Sequence, residues 1–271
     1  MIIAGYYGIK FNLHKILNLC FCAFTFMIPI ILYKYTIGIT SIKDVIYTFF
    51  PYANYMRWFL TVYILISIIS PIINNGLNTL SKEYNKLLIL LLFIINFLFF
   101  LLLVQGGNIF FGLLLMYILG RYIRISDINI SKGSAIFLFL LSNIIMIIIS
   151  TLLNQFDLNR YIFLLYKYNN PLIIIEAISL FMFFHNFKPF TNRYINLFSI
   201  TLFAVYIITE TLQKDLLYDW IYSIFLNNIL YGILSCICVY ATCMILEYLR
   251  LSFFNPLKLN KVNSFIDSIV P

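Results

Sequence analysis

The chain has 271 residues, of which 63% are hydrophobic and only 10% charged, with a mean hydropathy of +0.97. Soluble domains carry about 25% charged residues, so composition excludes a water-exposed globule and points to an all-α, polytopic transmembrane helix bundle. In such a protein the net charge of +8 reports where cations sit relative to a bilayer, and no nucleic-acid partner is expected.

Residues 1–13 (MIIAGYYGIKFNL) are too short and too mixed to span and read as the tail of a helix. The first full apolar run is 15–35, interrupted by Pro29, which is expected to kink it. A polar loop with Lys43, Asp44 and Pro51 follows. The next run, 58–74, begins at an Arg57-Trp58 pair and is expected to end at Pro71, which removes an amide donor. A loop with Lys82, Glu83 and Lys86 leads to 87–104, whose eighteen residues would cover about 27 Å, close to the hydrocarbon thickness. Gly106 and Gly107 mark a tight turn. Then come 109–124, short and closed by Arg121 and Arg124, and 134–153. After a loop lie 171–187 and 194–210, an interfacial segment around Trp220, and a last span at 226–246. Residues 247–271 read as a cytoplasmic tail, the whole forming a single membrane domain of about eight spans.

Charge tests the span count. With eight spans, one side carries Lys10, Lys15, Lys82, Lys86, Arg121, Arg124, Lys132, Lys188, Arg193, Arg250, Lys258 and Lys261, twelve cations in all. The opposite side carries Lys34, Lys43, Arg57, Arg160, Lys167 and Lys214, which is six. Leaving out 109–124 lowers the bias to eleven against seven. The positive-inside rule favours the larger bias, so both termini are expected in the cytoplasm and Arg57 on the outer side.

Few residues offer chemistry. Cys20, Cys22, Cys236, Cys238 and Cys243 lie in apolar runs, and the i, i+2 spacing of Cys20/Cys22 and Cys236/Cys238 points each pair to different sides of a helix, so no metal site is expected. Glu176 and Glu210 are the carboxylates placed within spans; Glu176 faces the bundle interior or snorkels toward the interface, and Glu210, at a helix end, reads as solvated. His14 and His185 sit toward the cytoplasmic rim. Arg57 and Trp58 form either an ordinary interfacial anchor or a substrate-facing pair.

Four stretches share an order and spacing: Gly5-Tyr6-Tyr7-Gly8-Ile9-Lys10; Trp58-Phe59 with Tyr63, Pro71 and Asn74; Asn170-Pro171-Leu172-Ile173 with Glu176-Ala177 and Leu180-Phe181; and Ser199 with Val205-Tyr206-Ile207-Ile208. In these the chain resembles the acyltransferase family 3 membrane proteins. The resemblance implies transfer of acetyl from cytoplasmic acetyl-CoA, as donor and not as a bound cofactor, to a sugar hydroxyl of a surface polysaccharide or lipid-linked precursor in the bacterial inner membrane. On that basis Arg57, Trp58, Glu176 and Glu210 are acceptor-side candidates. Lys10, Lys15, Arg121 and Arg124 are CoA-side candidates, with membrane lipid phosphate as the ordinary partner of the same cations. The chain departs from the family in carrying Ala4 where serine is common and Thr209 where histidine is common. Met1 aligns inside the family's second span, so the helix that bears the family's arginine and histidine is expected to be missing and transfer by this chain alone is not expected. The alternative is a polysaccharide-export or polymerase-type membrane protein or a small transporter, although no repeat symmetry is visible.

Overall fold

The computed structural model describes residues 1–48, 58–102, 109–158, 161–188 and 192–254. Among them the regular structure is helical, with no strand. Hydrocarbon offers the backbone no hydrogen-bond partners, and a helix satisfies its amides internally. Among the described residues, five helices are long and apolar enough to cross a membrane. They are α2 (Leu13–Thr36), α4 (Trp58–Thr79), α7 (Lys132–Gln155), α10 (Arg193–Gln213) and α12 (Ile229–Phe254). Between them lie α1 (Ile2–Tyr7), α3 (Ile42–Thr48), α5 (Lys82–Leu102), α6 (Ile109–Ile125), α8 (Ile162–Leu165), α9 (Pro171–His185) and α11 (Asp219–Asn227), the last preceded by a π-helical turn at Lys214–Tyr218.

Several starts follow from local chemistry. The Asn12 side chain accepts from Lys15 N, Ser131 from Ser134 N, and Asn170 from Leu172 N, with Pro171 in the first turn of α9. Each supplies an acceptor that the first turn lacks.

Three expectations are corrected. Helix α4 does not stop at Pro71 but continues to Thr79. The proline removes the donor to Ser67 O, and the Ser70 hydroxyl, 2.8 Å away, donates there instead. The break falls only at Leu80–Ser81, so Asn74 is helical. Helix α12 runs eight residues past Leu246, so Glu247 and Arg250 belong to a helix. The polar loop after α2 contains α3, whose start is held by Ser41 N donating to Asp44 Oδ2 at 2.9 Å.

The chain divides into two compact units, Met1–Phe11 with Val62–Pro189, and Asn12–Thr61 with Phe190–Pro271. In the first, α1 lies backbone-to-backbone on α6. A Cβ on Gly5 would stand 2.0 Å from Tyr117 O, and one on Gly120 would stand 2.2 Å from Ile2 O. Two apolar clusters flank this contact: Ile2, Leu115, Met116 and Ile174, then Tyr6, Ile123, Ala135 and Met182. Buried Asn85 donates to Leu77 O and secures the α4–α5 turn, while Asn169 donates to Asn96 beside Gly112.

In the second unit the polar groups are buried along α2, α10 and α12. Lys34, 2% exposed, donates from Nζ to Thr211 O at 3.1 Å. Glu247, 3% exposed, accepts two 2.7 Å bonds from the Arg250 guanidinium. The Cys22 thiol lies 3.8 Å from the same carboxylate. Each unit also has a helix that turns large apolar side chains outward: α7 in the first, with Phe137, Ile144 and Ile147, and α12 in the second, with Ile237 and Ile245. Exposed apolar side chains on helices of membrane length suit contact with lipid.

Candidate functional site

The constellation with chemical character lies in the first unit, where α1 ends. Gly8 terminates α1 at φ +74°, a left-handed conformation that an L side chain rarely adopts. The chain beyond it is clamped by α4 and α6. Ser70 Oγ and Asn74 Nδ2 lie 3.0 and 3.1 Å from Ile9 O, and Ile9 N donates to the Tyr117 hydroxyl, which donates in turn to Asn74 Oδ1 at 2.9 Å. Continuation of α4 past Pro71 is what brings Asn74 and Asn78 into reach.

Two arginines from the last turns of α6 complete the arrangement. Arg121 donates from Nη2 to Asn78 Oδ1 at 3.1 Å. Its Nη1 lies 3.2 Å from the position a Cβ on Gly8 would take, and its Nε is buried with no hydrogen-bond partner. Arg124 donates from Nη1 to the Tyr6 hydroxyl at 3.0 Å and lies over the Tyr6 ring at 5.2 Å from its centroid. The same hydroxyl is 3.1 Å from His185 Nε2, at the C-terminal end of α9. A guanidinium only donates, so Tyr6 accepts from it and can pass its own proton toward His185. With Tyr6 donating, His185 Nε2 accepts and the ring proton resides on Nδ1. Phe181 supports the cluster, stacking on His185 at 16° and packing on Tyr6 at 5.2 Å. Asn186 donates to Ile130 O at 2.7 Å and ties the end of α9 to the α6–α7 connection, and Lys132 Nζ sits 4.1 Å above the Phe187 ring.

An apolar pocket of about 570 Å³ abuts this cluster. It lies among α1, α6 and α9 and reaches from Tyr168 and Ile173 to Phe181 and Phe184. Phe181 is shared, lining the pocket and carrying the Tyr6 and His185 rings.

Of the CoA-side candidates, Arg121 and Arg124 are brought together around α1. Lys10 is exposed just beyond them, and Lys15 is exposed in the first turn of α2, in the other unit. Of the acceptor-side candidates, Glu176 is half-buried on α9, with Oε1 shielded from solvent and unpartnered. Glu210 is half-buried on α10 in the second unit. Arg57 lies outside the described residues, as does the side chain of Trp58. Sequence reasoning counted Lys34 only as an outer-side cation, whereas its side chain is buried against Thr211 O, and left out Glu247 and the Tyr6–His185 bond. Glu247 carried one usable signal, an arginine three residues on, which places an opposite charge on the same helix face. Among the described residues no group of three or more His, Cys, Asp or Glu could hold a metal.

No protein-family model matches the chain, and no match was found among curated proteins or solved structures.

Proposed function

We propose that the protein is an acyltransferase-type membrane protein of the bacterial inner membrane. In this reading it takes acetyl from cytoplasmic acetyl-CoA toward a sugar hydroxyl of a surface polysaccharide or its lipid-linked precursor. About eight helices span, with α5, α6 and α9 added to α2, α4, α7, α10 and α12, and both termini lie in the cytoplasm. The observation that carries the reading is the Arg121–Arg124 pair fixed against the Gly5-Tyr6-Tyr7-Gly8 segment, the segment with which the resemblance to acyltransferase family 3 begins. Guanidinium groups pair with phosphate through parallel N–H donors. Asn78 and Tyr6 engage one nitrogen of each arginine and hold its side chain in place. The charge bias puts this end of α6 on the cytoplasmic side, where the coenzyme is.

Binding of radiolabelled acetyl-CoA to the full chain in lipid nanodiscs tests the reading. Saturable binding that falls with added salt is expected, and Arg124→Gln should weaken it roughly tenfold through loss of a charge-assisted hydrogen bond. Absence of saturable binding, or binding indifferent to Arg121→Gln and Arg124→Gln, overturns it.

A small transporter is the second reading, and the buried Glu247–Arg250 pair is the observation that favours it, because ionisable groups within spans often mark ion or substrate paths. Pairing within one helix turn also fits a purely structural role, since each charge neutralises the other. Solute uptake into proteoliposomes that is lost in Glu247→Gln would favour transport.

A further inference from the structure

We propose that the pocket among α1, α6 and α9 holds one acyl chain of an anionic phospholipid, with the lipid phosphate seated at Arg124. The inference does not depend on the acyltransferase reading, although the two share that arginine.

The pocket has the chemistry of a chain-binding site. Leu113, Met116, Ile173 and Ala177 line it, with the α-amino group of Met1 as the one basic group among the lining residues. From Ile173 to Phe184 it follows α9 for about 16 Å at the helical rise of 1.5 Å per residue. One leaflet of a bilayer offers a hydrocarbon layer of about 15 Å, half of the ~30 Å core. The volume of about 570 Å³ falls in the range of small-molecule sites, about 300–1,000 Å³. Ile3 and Phe184 on its margin are 63% and 64% exposed. In a membrane-embedded helix such margins meet lipid, so a chain can enter sideways from the bilayer.

Charge at one end selects the head group. The pocket closes on Phe181, which carries Tyr6 and His185. Arg124 is exposed there and spends one nitrogen on Tyr6, leaving further donors for a phosphate. Lys132 and Lys188 lie near the same end of α9, Lys132 over Phe187 and Lys188 just past His185. The acidic group that acts on Arg124 is Asp127, in the turn after α6. Cations outnumber it, and each exposed lysine or arginine near an anionic surface adds about 1 kcal/mol, roughly fivefold in affinity.

The experiment uses the full chain in phosphatidylcholine vesicles doped with phosphatidylglycerol that bears a photoactivatable group on one acyl chain. Irradiation followed by peptide mapping should place label on Leu113, Met116, Ile173 or Ala177. Ala177→Trp, which fills the pocket, should reduce that label about tenfold, while Ile147→Trp on the outward face of α7 should leave it unchanged. Ala177→Leu serves as the smaller filling and should lower the label in the same direction should the tryptophan variant not insert. Arg124→Gln should lower the preference for the phosphatidylglycerol probe over a phosphatidylcholine probe with the same chains by about fivefold. Label spread evenly over α7 and α12, label unaffected by filling Ala177, or no preference between the two head groups in the unaltered chain overturns the proposal. Cross-linking of the pocket residues to a second copy of the chain also overturns it. Because Ala177→Trp does not touch the arginines, its effect on lipid labelling is separable from acetyl-CoA binding.

Discussion

Gly5 and Gly120 set the distance between α1 and α6, since neither position has room for a methyl group. Gly5→Ala drives a Cβ to 2.0 Å from the Tyr117 carbonyl oxygen, and backbone cannot rotate away as a side chain can. Overpacking of this kind costs about 1–3 kcal/mol. Gly76→Ala meets nothing within 4 Å and, inside α4, should stabilise by about 0.5–1 kcal/mol. The two variants are therefore expected to move the thermal unfolding midpoint in opposite directions, and Gly5→Ala melting no sooner than Gly76→Ala would remove the close approach. Asp44 gives a pH prediction at the same scale. The Ser41 backbone N–H and hydroxyl hold its carboxyl below the ordinary aspartate value. Folding thus favours the ionised form. The contribution is complete above the ordinary range, about pH 4, and is lost as pH falls through the lowered folded value. Amide exchange in 42–48 should accelerate over that acid window in the unaltered chain. A profile that is the same in Asp44→Ala would show that this cap contributes nothing.

At the scale of the element, α4 shows how a proline is tolerated in the interior of a helix. Its missing donor leaves Ser67 O open, and Ser70 Oγ fills the gap while also lying 3.0 Å from Ile9 O. Ser70 is fully buried, so Ser70→Ala strands buried carbonyls at a cost of about 1–3 kcal/mol. Pro71→Ala returns an amide to Ser67 O. The double variant Ser70→Ala/Pro71→Ala should therefore recover part of the loss, a non-additivity measurable in a double-mutant cycle of unfolding free energies. Strict additivity would show that the two residues do not share that carbonyl. Helix α12 makes a parallel case. Glu247 and Arg250 look in sequence like the start of a polar tail, yet neutralising each other one turn apart lets the helix carry them on to Phe254.

For the whole molecule, the expectation of about eight spans rests on charge bias and the five long apolar helices on the structure. Topology reporters connect the two. Fusions after Lys132 and at the C-terminus should read cytoplasmic, and a fusion near Lys43 should read external. A C-terminal fusion that reads external would sink the eight-span count and, with it, the cytoplasmic placement of Arg121 and Arg124.

What the sequence by itself determined is local. Composition established the helical class, and apolar runs located the long helices because each must satisfy its own backbone in lipid. Asn12, Ser131 and the Asn170-Pro171 pair mark helix starts because a capping side chain acts within three residues of itself. The tertiary structure decided which polar groups have partners. Tyr6 meets Arg124 and His185 across separations of 118 and 179 residues, and no local period encodes such a meeting. The same holds for α4, where a proline that reads as a stop is absorbed by a serine beside it, and for the asparagine three residues later, which reaches back to Ile9 O. Arg121 and Arg124 were legible as cations, but the Tyr6 hydroxyl and the pocket beside it exist only because glycines at positions 5 and 120 let α1 lie directly on α6.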